Sequence, residues 1–175
     1  VTAIAAGQYH VVSLDENSHS KRASEEAWSV ADLVEHLSVT EPFVTVVIEK
    51  LLTASEEIGG TPLPNGAFPA PIKFPGIVRR PDAYKAQAPE RIRPQGGVPI
   101  SESMAKLAAS RAHLKSLRPR MEAVDLSQAT YPHPMIKELT LPQWLVFVSE
   151  HEARHLTQLD SILNHQQDTA PVTAP

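Results

Sequence analysis

Hydrophobic side chains recur at helical spacing in three stretches of this chain and lose that spacing between them. The first stretch covers residues 30 to about 57 and ends just before Gly59-Gly60. Its apolar stripe consists of Val30, Leu33, Val34, Leu37, Val44, Val47, Ile48, Leu51 and Leu52. Ser29 directly precedes the stripe, and Asp32 lies three residues after Ser29. This spacing is a variant of the capping box that begins many helices. The pattern therefore predicts a long helix that begins at a capped end.

The same spacing predicts two more helices. One covers 101 to about 121 and ends near Pro119, and the other covers 141 to about 165. The stripe of the last helix consists of Leu141, Trp144, Leu145, Val148, Leu159 and Ile162. Pro42 lies inside the first helix, and we expect it to bend that helix because its ring clashes with the preceding turn.

The segments between these helices predict connections. Residues 13–27 are polar, 59–100 are rich in proline and glycine, and 122–140 show no alternation of apolar and polar side chains. We therefore expect no sheet, and a frayed tail from Gln166. Residues 1–12 resemble the end of a helix. The prediction is an all-α four-helix bundle with long crossover connections and a first helix that is short or truncated.

Length and composition limit the class of protein. The 175 residues predict one domain over 1–175, and 42% hydrophobic with 21% charged residues is usual for a globular chain. A net charge of −4 gives no reason to expect nucleic acid, and the apolar runs are too short for a membrane span. The absence of cysteine excludes disulfides and thiolate ligands and fits a cytoplasmic protein. The chain begins with Val1, so we expect it to be processed or to lack its natural start.

The segment His151-Glu-Ala-Arg-His155 holds the most informative chemistry. Residues four apart lie on one helix face, so the two imidazoles can reach a single divalent ion. Both fall within the apolar stripe and point into the bundle, where an unpaired imidazole is costly. The alternative is that they are two core histidines, hydrogen-bonded to backbone or to neighbouring side chains.

Glu152 between them completes the formal signature of the zincin proteases, in which that glutamate is the general base. We discount a protease, because no glutamate follows His155 as a third ligand. Gln158 and Ser161 also stand where the extended signature needs glycine and histidine. A third ligand must therefore come from upstream, where the candidates are His10, His19, His36, His113 and His133. Of these, His36 lies in a strongly predicted helix at the margin of its apolar stripe.

Two parts of the chain resemble the signatures of the DinB-like (YfiT-like) metalloenzyme superfamily. The first is Trp28–Leu37, where a Trp-Ser pair opens a helix and a histidine follows within two turns. The second combines His133-Pro134, Leu139-Thr140, Gln143–Leu145 and His151–Gln158. Together the paired signatures cover about 138 residues, from 28 to 165, and are more specific than either half alone.

This resemblance implies a four-helix bundle with a metal site formed by His36, His151 and His155. It also implies zinc or nickel as the divalent ion and, for many members, a homodimer. Characterised relatives include bacillithiol S-transferases and a mycothiol-dependent maleylpyruvate isomerase, and others are described as metal-dependent hydrolases. The implied function is therefore an enzyme that acts on a small molecule by thiol S-transfer or hydrolysis, with a low-molecular-weight thiol as cosubstrate in the first case.

Three imidazoles leave at least one position of the ion open, which is the catalytic pattern rather than the structural one. Glu152 and Gln158 are candidates for a catalytic or ligand-orienting role. The alternative role for Glu152 is an ion pair with Arg111 or Arg118, two residues that lie on the otherwise apolar side of their helix. The competing function is a non-catalytic metal-binding bundle with a binding or stress-related role.

Overall fold

Three long helices dominate the part of the molecule that the computed structural model describes, residues 15–62 and 88–164. In chain order the elements are α1 (Glu16–His19), α2 (Val30–Ile58), a 3₁₀ turn (Glu90–Ile92), α3 (Ile100–Ser116), α4 (Arg118–Glu122), β1 (Thr130–His133), β2 (Lys137–Thr140) and α5 (Leu141–Asn164). The long helix α2 packs against both α3 and α5. The predictions for residues 1–12, for 63–87 of the long connection and for the tail from Gln166 lie outside the described residues.

The start of α2 is the capping box that the sequence predicts. The Ser29 hydroxyl accepts a hydrogen bond from the Asp32 amide at 3.1 Å, and the Asp32 carboxylate accepts one from the Ser29 amide at 2.8 Å. At the other end the helix stops at Ile58, one residue beyond the prediction. Gly59 follows with φ of +75°, a conformation in which glycine is unstrained. Pro42 lies within this single 29-residue helix, and the bend stays a prediction.

The second predicted helix is divided in the structure. α3 begins at Ile100 with Pro99 as its N-cap residue, and it ends at Ser116. A separate short helix, α4, follows from Arg118, because the Pro119 ring removes an amide donor and suits only the first turn of a helix. The prediction of one continuous helix over 101–121 is therefore wrong at its C-terminal end. Residues 13–27 also contain a short helix, α1, in a segment predicted to be a loop.

The prediction of no sheet is wrong. β1 and β2 form an antiparallel hairpin in which Thr130 pairs with Thr140 and His133 with Lys137. Each strand has four residues, too few to produce a visible alternation, and Pro132 in β1 lowers the strand signal further. The hairpin leads directly into α5, and the Trp144 indole donates a hydrogen bond to the carbonyl of Tyr131 at 3.3 Å.

The apolar core consists of two clusters that α2 joins end to end. The first half of α2 packs with α3 and the end of α5 through Val30, Leu33, Val34, Leu37, Ile100, Leu107, Leu159 and Ile162. The second half packs with the hairpin and the start of α5 through Val44, Val47, Ile48, Leu51, Leu52, Leu117, Ala129, Leu139, Leu141, Trp144 and Phe147. Between these clusters, the buried side chains of α2 and α5 are polar, including His36, Glu41, Glu152 and His155.

No helix among the described residues combines the length and apolar character that a membrane span requires.

The capping box predicts a local loss of stability on substitution. We expect Ser29→Ala to lower the free energy of unfolding by about 1 kcal/mol, because it leaves the first-turn amide without its acceptor. Urea denaturation followed by circular dichroism measures this. Ser101→Ala is the matched control, because Ser101 lies in the first turn of α3 and no side-chain hydrogen bond caps that helix. Equal losses in both variants would show that the capping box does not stabilise α2.

Candidate metal centre

Three histidines from two helices converge in the polar layer between the core clusters. His36 is contributed by α2, and His151 and His155 by α5. The Nε2 atom of His151 lies 3.3 Å from Nε2 of His36 and 3.2 Å from Nε2 of His155. His36 and His155 are buried, and His151 is partly buried. The structure thus brings together the three residues that the resemblance implies as ligands.

The outer nitrogens of two of these rings are held by carbonyl oxygens. His36 donates Nδ1–H to the backbone carbonyl of Ile92 at 2.7 Å, and His155 donates Nδ1–H to Oε1 of Gln158 at 2.6 Å. A proton on Nδ1 leaves a lone pair on Nε2 of a neutral imidazole. Both hydrogen bonds therefore direct an Nε2 lone pair toward the common centre, which is the usual arrangement around metal-binding histidines.

Burial keeps the three imidazoles neutral. It is the main cause that lowers the pKa of His155 to about 3, and the nearby His36 ring lowers it further. Burial also lowers the pKa of His151 well below its usual value, with His155 and His36 adding to the effect, and lowers that of His36. Neutral imidazole is the form that binds a metal ion, so these side chains need not lose a proton first.

The spacing of the three nitrogens fits a divalent ion. A tetrahedral zinc ion with Zn–N bonds of about 2.0–2.1 Å separates its ligand atoms by about 3.3–3.4 Å. The measured separations of 3.3 and 3.2 Å lie close to this value. Lone pairs at such distances repel unless a cation or proton lies between them. Within the described ranges, the cluster of potential ligands contains these three histidines and no carboxylate or fourth imidazole.

Aromatic rings border the centre. The Trp28 ring lies 4.9 Å from that of His36, and Phe147 stacks on His151 with ring centroids 5.5 Å apart. His133, another candidate ligand, contacts Phe147 at 4.6 Å between centroids and does not belong to the convergent set. The Trp28 ring therefore packs directly beside the histidine cluster.

The remaining histidine candidates lie apart from the cluster. His113 is largely exposed on α3, where its Nε2 atom lies 3.0 Å from the Glu49 carboxylate. His19 is the last residue of the short helix α1. His10 lies outside the described residues.

Glu152, which follows His151 on α5, contacts α3. Its carboxylate accepts a hydrogen bond from Arg111, which also contacts Glu41 of α2 at 3.2 Å. All three side chains are largely buried, so one guanidinium joins carboxylates from two other helices. Of the two partners proposed for Glu152, Arg111 is the one found, whereas Arg118 pairs with Glu122 at the surface. A direct chemical role for Glu152 stays a prediction.

Gln158, the other candidate for a catalytic or ligand-orienting role, contacts His155, and that role stays a prediction. Two other participants were missed in the sequence. The Ile92 carbonyl is a backbone group, which no side-chain motif can reveal. Glu41 belongs to α2 and follows His36 by five residues, and only the folded contact with Arg111 identifies it. A buried acidic residue within an apolar stripe was the available signal.

These features define a helical bundle with a three-histidine centre between two of its helices. The chain matches the model of the DinB superfamily over residues 2–159, and it therefore belongs to that superfamily. It is also similar to the uncharacterized protein YuaE of Bacillus subtilis (strain 168), with 27% identity over 149 residues. The match covers 85% of this chain and 84% of that protein.

A solved structure confirms the fold class. The structure of TT2238, described as a four-helix bundle protein, superposes with a TM-score of 0.59 over 91% of this chain and 92% of that one. The two sequences are 20% identical, so this likeness concerns the fold alone. The predicted all-α four-helix bundle is confirmed, with the β-hairpin as an addition.

The Glu41–Arg111–Glu152 cluster predicts a large loss of stability when its cation is removed. We expect Arg111→Met to lower the free energy of unfolding by about 3–5 kcal/mol, because two buried carboxylates would lose their shared partner. Urea denaturation measures this. Arg120→Met is the control. It removes an exposed ion pair between Arg120 of α4 and Glu56 of α2, the helix that also carries Glu41, and it should change stability little. Similar small losses in both variants would contradict a buried cluster.

The same cluster predicts a pH dependence. Burial is the main cause that raises the pKa of Glu41 from 4.5 to about 7; Glu152 raises it further and Arg111 opposes the rise. The folded protein then binds a proton more tightly than the unfolded chain, so Glu41 lowers stability as the pH rises from about 4.5 to 7. In metal-free protein, Glu41→Gln should therefore flatten the fall in unfolding free energy across this range. Parallel pH profiles for the two proteins would contradict the assignment.

Proposed function

We propose that this protein is a metal-dependent enzyme that binds one divalent cation through His36, His151 and His155 and acts on a small molecule. The observation that supports this best is the convergence of three neutral imidazole nitrogens without a carboxylate or a fourth imidazole among the described residues. Such a donor set leaves room for an exchangeable ligand, as in catalytic metal sites. Zinc and nickel both suit an all-imidazole site.

The reaction is either thiol S-transfer or hydrolysis. A bound divalent ion supplies Lewis acidity, which favours the deprotonated form of a water or a thiol at the open position. This chain has no cysteine, so a thiol nucleophile must come from a low-molecular-weight cosubstrate. Both reactions use an electrophilic small molecule, and the donor set alone does not favour one of them.

The residues around the three histidines orient the imidazoles and border them with aromatic rings. The Ile92 carbonyl and Gln158 hold the Nδ1 protons of two imidazoles, so that both rings keep one orientation. The Trp28 ring contacts His36 at a tilt, and the Phe147 ring stacks on His151, so aromatic side chains border both imidazoles. These contacts prepare the histidines for an incoming cation without a large rearrangement.

Metal content is the first test. We expect about one equivalent of zinc or nickel per chain in untagged wild-type protein and nearly complete loss in His36→Ala, measured by mass spectrometry after dialysis. His113→Ala is the matched control, because His113 pairs with Glu49 outside the cluster and should leave the metal content unchanged. No metal in the wild type after reconstitution with either ion would overturn the proposal.

Activity is the second test. The metal-loaded protein is assayed for transfer of small thiols to electrophiles and for hydrolysis of small esters and amides, with His36→Ala as the inactive control. Stoichiometric metal without turnover in either screen would favour a non-catalytic metal-binding bundle with a binding or stress-related role. Small-molecule substrates, a homodimer and a cytoplasmic location stay predictions.

A further inference from the structure

A buried carboxylate next to His36 holds the segment that contacts this histidine. Glu35 precedes His36 on α2 and is 5% exposed. Its Oε1 accepts a hydrogen bond from the amide of Gln95 at 2.9 Å, and its Oε2 accepts one from the amide of Gly96 at 3.1 Å. Each carboxylate oxygen thus has a backbone partner about 60 residues away in sequence.

The same segment supplies the hydrogen-bond acceptor of His36. The carbonyl of Ile92, at the end of the 3₁₀ turn, accepts Nδ1–H of His36 at 2.7 Å. Two consecutive residues of α2 therefore bind one short segment, 92–96, through three hydrogen bonds. The Glu35 carboxylate holds its amides, and the His36 imidazole binds its carbonyl. Gly96 has φ of +80°, a left-handed conformation that most other residues adopt only with strain.

We propose that Glu35 is a positioning residue for the metal ligand His36 and acts through the 92–96 segment. By fixing the amides of Gln95 and Gly96, the carboxylate fixes the place of the Ile92 carbonyl. That carbonyl keeps the proton of His36 on Nδ1 and leaves Nε2 free to face His151. This inference rests on the proposed function, because it assigns His36 to a metal site.

The charge of Glu35 is what makes the contact strong. Hydrogen bonds from backbone amides to a carboxylate are roughly twice as strong as those between neutral groups. A glutamine in its place would present an NH₂ group to one of the two amides and lose that bond. A buried carboxylate is also costly without such partners, so its hydrogen bonds favour one arrangement of the segment.

Segment docking and metal binding should then be thermodynamically coupled. A cation on Nε2 polarises the imidazole and strengthens the hydrogen bond from Nδ1–H to Ile92. If docking of the 92–96 segment raises metal affinity, metal binding must stabilise the docked segment by the same factor. The coupling can be measured in two ways, by the affinity for the metal and by the His36 tautomer that the docked segment fixes.

The test compares Glu35→Gln with wild type in two forms of the protein. In metal-free protein at pH 8, nitrogen-15 NMR should show His36 protonated on Nδ1 in wild type and a mixture of tautomers in the variant. Zinc titration should show affinity about tenfold lower in the variant, the low end of the range for such supporting contacts. Glu56→Gln is the control: it changes a carboxylate of the same helix that bonds Arg120 and should alter neither readout.

A second pair of variants changes the 92–96 segment and its next residue instead of Glu35, and it tests the inference if Glu35→Gln does not fold. Gly96→Ala and Gly97→Ala introduce similar backbone strain, at φ of +80° and +79°, and neither new Cβ would lie closer than 4.0 Å to another group. Only the Gly96 amide bonds Glu35. We expect Gly96→Ala to shift the His36 tautomer and to lower zinc affinity more than Gly97→Ala.

An unchanged His36 tautomer in both Glu35→Gln and Gly96→Ala would overturn the inference. The metal-free readout separates this failure from a failure of the proposed function. If wild type binds no zinc but the tautomer still shifts in Glu35→Gln, the metal site is wrong and the positioning contact is supported. If zinc binds and the tautomer does not respond, the metal site is supported and the role of Glu35 is not.

Discussion

The structure depends on a buried polar layer that crosses the helical core between its two apolar clusters. In one part of this layer Arg111 of α3 holds carboxylates from α2 and α5, and in the other part three imidazoles from α2 and α5 face each other. Burial of charge is costly unless each group has a partner with good geometry. The relative placement of α2, α3 and α5 must therefore keep the contacts of both groups at once, a constraint that adds to that of apolar packing.

Most of the helical architecture could be predicted because it depends on local signals. The Ser29–Asp32 capping box and Gly59 define α2 to within a residue, and the stripe from Leu141 defines α5. The errors occur where the signal is short or a single residue interrupts it. Pro119 divides the second helix, and the hairpin strands of four residues are too short to reveal their alternation. The short helix α1 was missed as well, and all three errors concern connections or helix ends rather than the helical segments that carry the histidines.

The candidate site could be predicted only in part. His151 and His155 lie one turn apart, so their common face follows from helix geometry alone. His36 is 115 residues from His151, and no spacing rule relates them; its assignment came from the resemblance of its surrounding motif. The contacts that support the histidines and Arg111 were even harder to predict from the sequence. Glu35 looks like an ordinary helical acid in sequence, Glu41 differs only in its place within the apolar stripe, and the Ile92 carbonyl belongs to a segment without a motif.

The two halves of the polar layer meet at consecutive residues, His151 and Glu152, and the contact of Glu152 bears on the zincin signature that the string His-Glu-Ala-Arg-His resembles. In a zincin the glutamate must reach the water bound beside its histidines. In this fold the Glu152 carboxylate accepts a hydrogen bond from Arg111 of α3. The carboxylates thus have a cation supplied by the chain itself. The nitrogens of the three imidazoles converge within 4.8 Å, and this part of the layer could hold a divalent ion.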